Sequence, residues 1–269
     1  MTHLYISRSV TVGCAIAITC QLSAQIWKGK SGNYAIECSA AKLKATQADN
    51  GRVAFDAAAE ADAAWAGFVR NSNGAPMEAE FTYRLLSAVG PYLSVEEGVY
   101  CDCGGAHPTA AKRFRAVDLE RGSQATLTAL FPEHAVFAAL LADPIVAKTL
   151  AGGAKPESMT ALLGTLQDET AKVKDCEYGF SEDLLSSFAF YDTRDGNVSV
   201  RVSLPSAEEV CRGEMIQLGL TLPVPEALRA WFSQAKAQRE GLLMVDAARA
   251  GHPSAASFKF SQKKQGRRK

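Results

Sequence analysis

Apolar and polar positions alternate through much of the first half of the chain. Between Trp27 and Ala45, Tyr34, Ile36 and Cys38 alternate with polar residues such as Asn33, Glu37 and Ser39. A period of two sends side chains to opposite faces of a strand, so the pattern predicts β structure. From Glu78 to Val89, the residues Ala79, Phe81, Tyr83 and Leu85 share one face of a longer strand. Pro91 interrupts it, and Tyr92 to Tyr100 resumes the pattern with Leu93, Val95 and Val99. Lys112 to Val117 predicts a returning strand. Asp49 to Arg70 is different: it is Ala-rich, and Phe55, Ala58, Ala59, Trp65, Phe68 and Val69 follow helical spacing. That segment predicts a helix with one apolar face.

The middle of the chain reads as helices. Thr126 to Phe131 leads into one, and Pro132 stands where a first helical turn tolerates its missing N–H, ahead of a helix over Glu133 to Ala142. Asp143-Pro144 interrupts it, a turn or two follows from Ile145 to Leu150, and Glu157 to Val173 predicts a further helix. The last third returns to strands. Ser187 to Tyr191 is apolar, Asp192 to Asn197 carries a hairpin signal around Asp195-Gly196, and Val198, Val200 and Val202 alternate on the way back. Pro205 to Cys211 predicts a short helical turn, Met215 to Leu222 the final strand, and Pro225 to Ala235 a helix. Strands, then helices, then strands predict an α+β fold, an antiparallel sheet packed by helices in one main domain over 25–237.

The ends of the chain change this picture. Met1 to Arg8 holds a basic residue and no acid, Ser9 to Leu22 has no charge, and Leu22-Ser23-Ala24 closes on small residues. This reads as a secretory signal peptide over 1–24. Its uncharged run of about 14 residues is shorter than the roughly 20 that span a bilayer. The mature chain is therefore expected to be exported, periplasmic or extracellular, without a transmembrane span. Lipid anchoring at Cys20 is the weaker reading, because Ala17-Ile18-Thr19 fits a lipidation motif poorly. At the other end, residues 238–269 read as a polar, basic, disordered tail, with six basic residues and no acid from Lys259 onward. Without Arg8 and those six, the body from Gln25 to Phe258 keeps 22 basic against 29 acidic residues. An acidic body does not read as a nucleic-acid binder.

Five cysteines remain after the signal: Cys38, Cys101, Cys103, Cys176 and Cys211. Export favours disulfides. Cys176 and Cys211 flank two predicted strands and form the first candidate bridge. Cys38 with Cys101 or Cys103 is the second. A bridge between Cys101 and Cys103 themselves is not expected, because positions two apart on a strand stand near the limit of disulfide reach.

Several blocks in a fixed order carry a resemblance. They are Leu86-Ser87-Ala88-Val89-Gly90, Gly104-Gly105-Ala106-His107-Pro108, Val117-Asp118-Leu119-Glu120-Arg121-Gly122 and Leu127-Thr128-Ala129-Leu130-Phe131. Phe190 to Gly196 and Leu220 to Pro223 follow. Together they resemble the RsiV-like domain of unknown function, over roughly Trp27 to Phe232. That domain occurs outside the membrane in lysozyme-sensing anti-sigma factors and beside some peptidoglycan deacetylases. The resemblance implies a non-catalytic binding or sensing domain of the cell envelope, with a lysozyme-like protein or peptidoglycan as partner. It implies no cofactor. Here Cys101-Asp102-Cys103 precedes the Gly-Gly block, where the family has an aromatic or Gly-rich lead.

The chemistry-bearing residues are few. His107, with Asp102 or Asp118 as its orienting carboxylate, is the candidate ligand-binding group, and the alternative reading makes it the base of an envelope hydrolase or deacetylase-associated enzyme. Two adjacent glycines and a following proline equally fit a tight turn, which is the preferred reading. Cys101, Cys103 and His107 offer three ligands where structural zinc needs four, so Cys38 or His134 would have to complete a metal site. No metal is expected. Glu96 and Glu97 are neighbours on a strand and face opposite ways, so they form no catalytic carboxylate pair. No nucleophile elbow, phosphate loop or dinucleotide fingerprint is present.

Overall fold

A computed structural model describes residues 27–71, 77–104, 106–153, 155–249 and 255–262. The segment 1–24 expected to be a signal peptide, with Cys20, residues 72–76 and the basic residues from Lys263 onward lie outside the described residues.

The chain opens as an antiparallel meander of β1 (Trp27–Ser31), β2 (Tyr34–Ser39), β3 (Lys42–Gln47) and β4 (Val53–Asp56). Alternation decides its inner face: Tyr34, Ile36, Cys38, Leu43, Ala45 and Phe55 are all buried. Helix α1 (Ala57–Asn71) follows β4 directly, and the Asp56 carboxylate accepts a hydrogen bond from the Ala58 N–H. The predicted helix therefore begins later than Asp49. Phe55 lies in β4 opposite Ala45, held by a partner strand that the local sequence does not reveal.

Next come β5 (Met77–Val89), β6 (Tyr92–Asp102), β7 (Thr109–Asp118) and the short β8 (Ser123–Gln124). Helices α2 (Leu127–Leu130), α3 (Glu133–Ala142), α4 (Pro144–Thr149) and α5 (Met159–Gln167) follow. Three of these starts are capped by side chains: at α2, Thr126 accepts from the Ala129 N–H, at α4, Asp143 from Ile145 and Val146, and at α5, Ser158 from Ala161. The other Asp143 oxygen accepts from the Gly219 N–H at 2.8 Å, tying α4 to the strand that carries Gly219. The predicted helix over Glu157 to Val173 ends at Gln167. Thr170 to Val173 instead forms β9 (Thr170–Val173), paired with β10 (Cys176–Gly179) through a turn that holds Lys174 at φ 56°.

The second sheet is β11 (Phe188–Arg194), β12 (Asn197–Pro205) and β13 (Met215–Pro223), with the β11–β12 turn at Asp195 and Gly196, both at positive φ. The hairpin signal is borne out. The predicted helical turn at Pro205 to Cys211 is a loop instead. The chain then forms α6 (Arg229–Lys236), α7 (Met244–Arg249) and β14 (Ala256–Gln262). Residues 238–269 are thus not a wholly disordered tail, and Met215 to Leu222 is not the last strand. The physical reason is a short amphipathic run inside the basic end. Phe258 and Phe260 face Phe81 and Ala79 across a ladder with β5, and their rings pack on Tyr83, Phe81 and Trp65.

The central sheet has the order β14-β5-β6-β7-β8, and every strand pair among the described residues is antiparallel. One apolar core lies between this sheet, the meander and α1. A second lies between β11–β13 and the helices α2 to α6. Ser87 and Ser203 join the two sheets, accepting from the Phe190 and Phe114 N–H groups at 3.1 and 2.7 Å. Gly90, at φ 56°, turns β5 into β6 directly beneath the Trp231 indole, where a side chain would strike the ring. The architecture is α+β, as expected.

Candidate functional site

Of the residues singled out in the sequence, His107 and Asp102 fall at one hairpin tip and Asp118 falls far from both. Asp102 pairs with Glu78 at one end of β6, whereas Asp118 pairs with Tyr92 at the other. At about 3.3 Å per residue those ends are roughly 33 Å apart. Asp118 is buried and works locally. Its Oδ1 accepts from the Glu120 and Arg121 N–H groups at 3.0 and 3.1 Å, and its carbonyl accepts from Gly122. It shapes the turn into β8 and is not within reach of His107. His107 and Asp102 share the β6–β7 hairpin tip, where both are exposed. The tip is braced from outside by Arg212, which donates to the Pro108 carbonyl.

The cysteines are sorted differently from expectation. Cys176 and Cys211 are bridged, with Cα atoms 6.1 Å apart, as the sequence led us to expect. Cys101 and Cys103 are also bridged, which corrects the expectation that a pair near the limit of disulfide reach stays unbridged. Their Cα atoms stand 5.3 Å apart, inside the usual disulfide range, because the strand gives out at Asp102, the residue between them. Cys38 is free and buried, so neither pairing proposed for it forms. Burial pushes its thiol pKa up, against a smaller opposing effect of the Leu85 backbone. Among the described residues, no three His, Cys, Asp or Glu side chains gather to hold a metal ion.

The cleft with the clearest chemical character lies elsewhere, on the face of the central sheet that α1 only partly covers. Strand register places Phe81 and Tyr83 of β5, Glu97 and Val99 of β6, and Ala111 and Arg113 of β7 on that one face. With Ala64 and Phe68 of α1 and Pro205 at the far rim, they enclose about 330 Å³. The walls are chiefly apolar, and the charge is gathered at one end. Arg113 Nε donates to Glu97 at 3.0 Å and its Nη1 reaches Asp183 at 3.4 Å. Arg115 Nε stands 2.6 Å from the same Glu97 carboxylate, its Nη2 donates to Glu60 of α1 at 3.0 Å, and its guanidinium lies over the Phe55 ring. Glu97 is thus held by two arginines and shielded to 16% side-chain exposure. Burial pushes the Tyr83 phenol well above its ordinary pKa, with Glu97 adding to the effect, so the hydroxyl stays protonated.

Glu96, the neighbour of Glu97, points to the opposite face toward Arg84 at 3.8 Å, so the expected divergence of the two carboxylates is borne out. The Glu97–Arg113 pair itself was missed in the sequence. The signal was there: both residues are equidistant from Gly105 in the predicted hairpin turn, so a regular hairpin puts them opposite one another. Among the described residues, no helix is long and apolar enough to cross a membrane. Set against known proteins, the sequence matches no family model and no curated protein.

Proposed function

We propose that this chain is an exported binding domain of the bacterial cell envelope, working without a hydrolytic centre, and that the cleft over β5, β6 and β7 is its contact site. The observation that carries the reading is the cleft itself: an apolar trough of about 330 Å³ with fixed, paired charges at one end. That combination suits recognition, since apolar walls supply area and oriented charges supply register. Two disulfides fit an oxidising compartment.

The partner follows from the resemblance to the RsiV-like domain and from charge. The acidic surplus of the body complements a basic protein, which favours a lysozyme-like protein over an anionic wall glycan. The alternative, an envelope hydrolase or deacetylase-associated enzyme using His107, gains less support: His107 and Asp102 share the hairpin tip but are both exposed there, and Asp118 closes β7 at the opposite end of the hairpin.

Ala111 lines the cleft and is exposed, so Ala111→Arg fills the trough without entering a core. Titration calorimetry against hen lysozyme is expected to show binding by the wild type and affinity at least about tenfold weaker for Ala111→Arg, a loss of about 1.4 kcal/mol. A wild type that binds neither lysozyme nor soluble peptidoglycan fragments overturns the reading.

A further inference from the structure

We propose that the Cys101–Cys103 bridge is an exchange-active cystine, trading its disulfide with the thiols of polypeptide clients, with Cys103 as the sulfur attacked and Cys101 as the resolving one. This rests on the hairpin tip alone and stands whatever occupies the cleft.

Three features suit this bridge to exchange, and the first is the one that Cys176–Cys211, itself a buried and a partly exposed cysteine, does not share. It spans a single residue, so it joins no two elements and closes no long loop. Cys101 stays fixed between Ala79 and Thr109 by the strand ladder whether or not the bond is present. Opening the bond therefore leaves the sheet intact. Cys176–Cys211, by contrast, ties together segments 35 residues apart. Second, the two sulfurs differ in access. Cys101 is fully buried, while Cys103, just past the strand end, is partly exposed. A partly exposed sulfur open to attack, beside a buried one that leaves and later resolves, suits disulfide exchange, because attack needs access and resolution needs only proximity. Third, the tip is open: Asp102, Gly104, Ala106 and His107 around the bridge are exposed.

The step balances as follows. A client thiolate attacks Cys103 Sγ, the S–S bond breaks, and its electron pair leaves on Cys101 Sγ, which takes up a proton. The client's second thiolate then attacks the client sulfur of the mixed disulfide. This closes the client's own disulfide and expels Cys103 as a thiolate. Two electrons have passed from the client dithiol to the Cys101–Cys103 pair. Oxidised glutathione, or another disulfide of that class, regenerates the bridge by the same exchange in reverse.

The test uses the full chain equilibrated in glutathione redox buffers, acid-quenched, alkylated and mapped by mass. Cys101 and Cys103 are expected to become alkylatable at a reducing strength at least about tenfold below that which opens Cys176–Cys211, with circular dichroism unchanged. The C101S variant, lacking its resolving thiol, is expected to retain glutathione on Cys103, and C103S to leave Cys101 unmodified. Should C101S not fold, the wild-type titration decides alone. Both bridges opening together as the chain unfolds, or a folded C101S that carries no glutathione, overturns the proposal.

Discussion

Glu97 fixes the polar end of the cleft, since its carboxylate is shared by Arg113 and Arg115 and shielded by the sheet. Removing it leaves two guanidinium groups facing each other, with Arg115 at 20% side-chain exposure. Glu97→Ala is expected to destabilise by about 1–3 kcal/mol, read as a lower urea midpoint at constant m-value. A second prediction concerns acid. Burial pushes the Asp56 carboxyl up, but hydrogen bonds from Lys44 and the Ala58 and Ala59 amides outweigh it and hold the pKa below the ordinary range. Glu37 is lowered by Lys42 and Lys28, and Glu177 by Lys172 and Thr170. For a depressed carboxyl, the unfolded chain takes up the proton first. The contribution to stability is therefore present above the ordinary carboxylate pKa of about 4 and is lost as pH falls through the folded value. The melting temperature is expected to fall with acidification below about pH 4.5, and Asp56→Asn to flatten that fall. An unchanged slope in the variant counts against Asp56. At this scale the sequence exposed the opposite orientations of Glu96 and Glu97, because period two is a backbone property. It did not show which of the two is clasped, because that depends on the strand opposite.

Among the elements, β14 shows how a partner makes a strand. Residues 256–262 carry lysine and serine beside two phenylalanines, a composition that reads as tail until β5 offers its edge. The rings of Phe258 and Phe260 then cover Tyr83, Phe81 and Trp65. Phe260→Ala is expected to cost about 1–2 kcal/mol, less than a fully buried phenylalanine because Phe260 is half-buried, with thermal unfolding as the measurement. An unchanged melting temperature would show that β14 contributes nothing to the core. The same physics explains β4 and β9, each four residues long and each placed by sequence inside a helix. Short strands owe their conformation to a neighbouring ladder more than to local preference. The long strands β5, β6 and β7 were legible because each carries enough alternations to declare its period, and the helix α3 because Pro132 marks where it begins.

In the whole molecule, two cores share one central sheet, and serine side chains sew the second sheet onto it. Sequence alone determined what repeats locally: the alternating strands, the helix behind Pro132, the Asp195-Gly196 hairpin and hence the α+β class. It also pointed to the Cys176–Cys211 bridge, because those residues flank a strand pair. Tertiary structure alone decided what meets across the chain. It separated Asp118 from Asp102 and His107, because the tip and the base of one long hairpin cannot converge. It bridged Cys101 to Cys103, because the chain leaves the extended conformation at the hairpin tip. And it assembled a cleft from α1, β5, β6 and β7, because period and propensity act over neighbours in sequence, whereas a binding surface is made by neighbours in space.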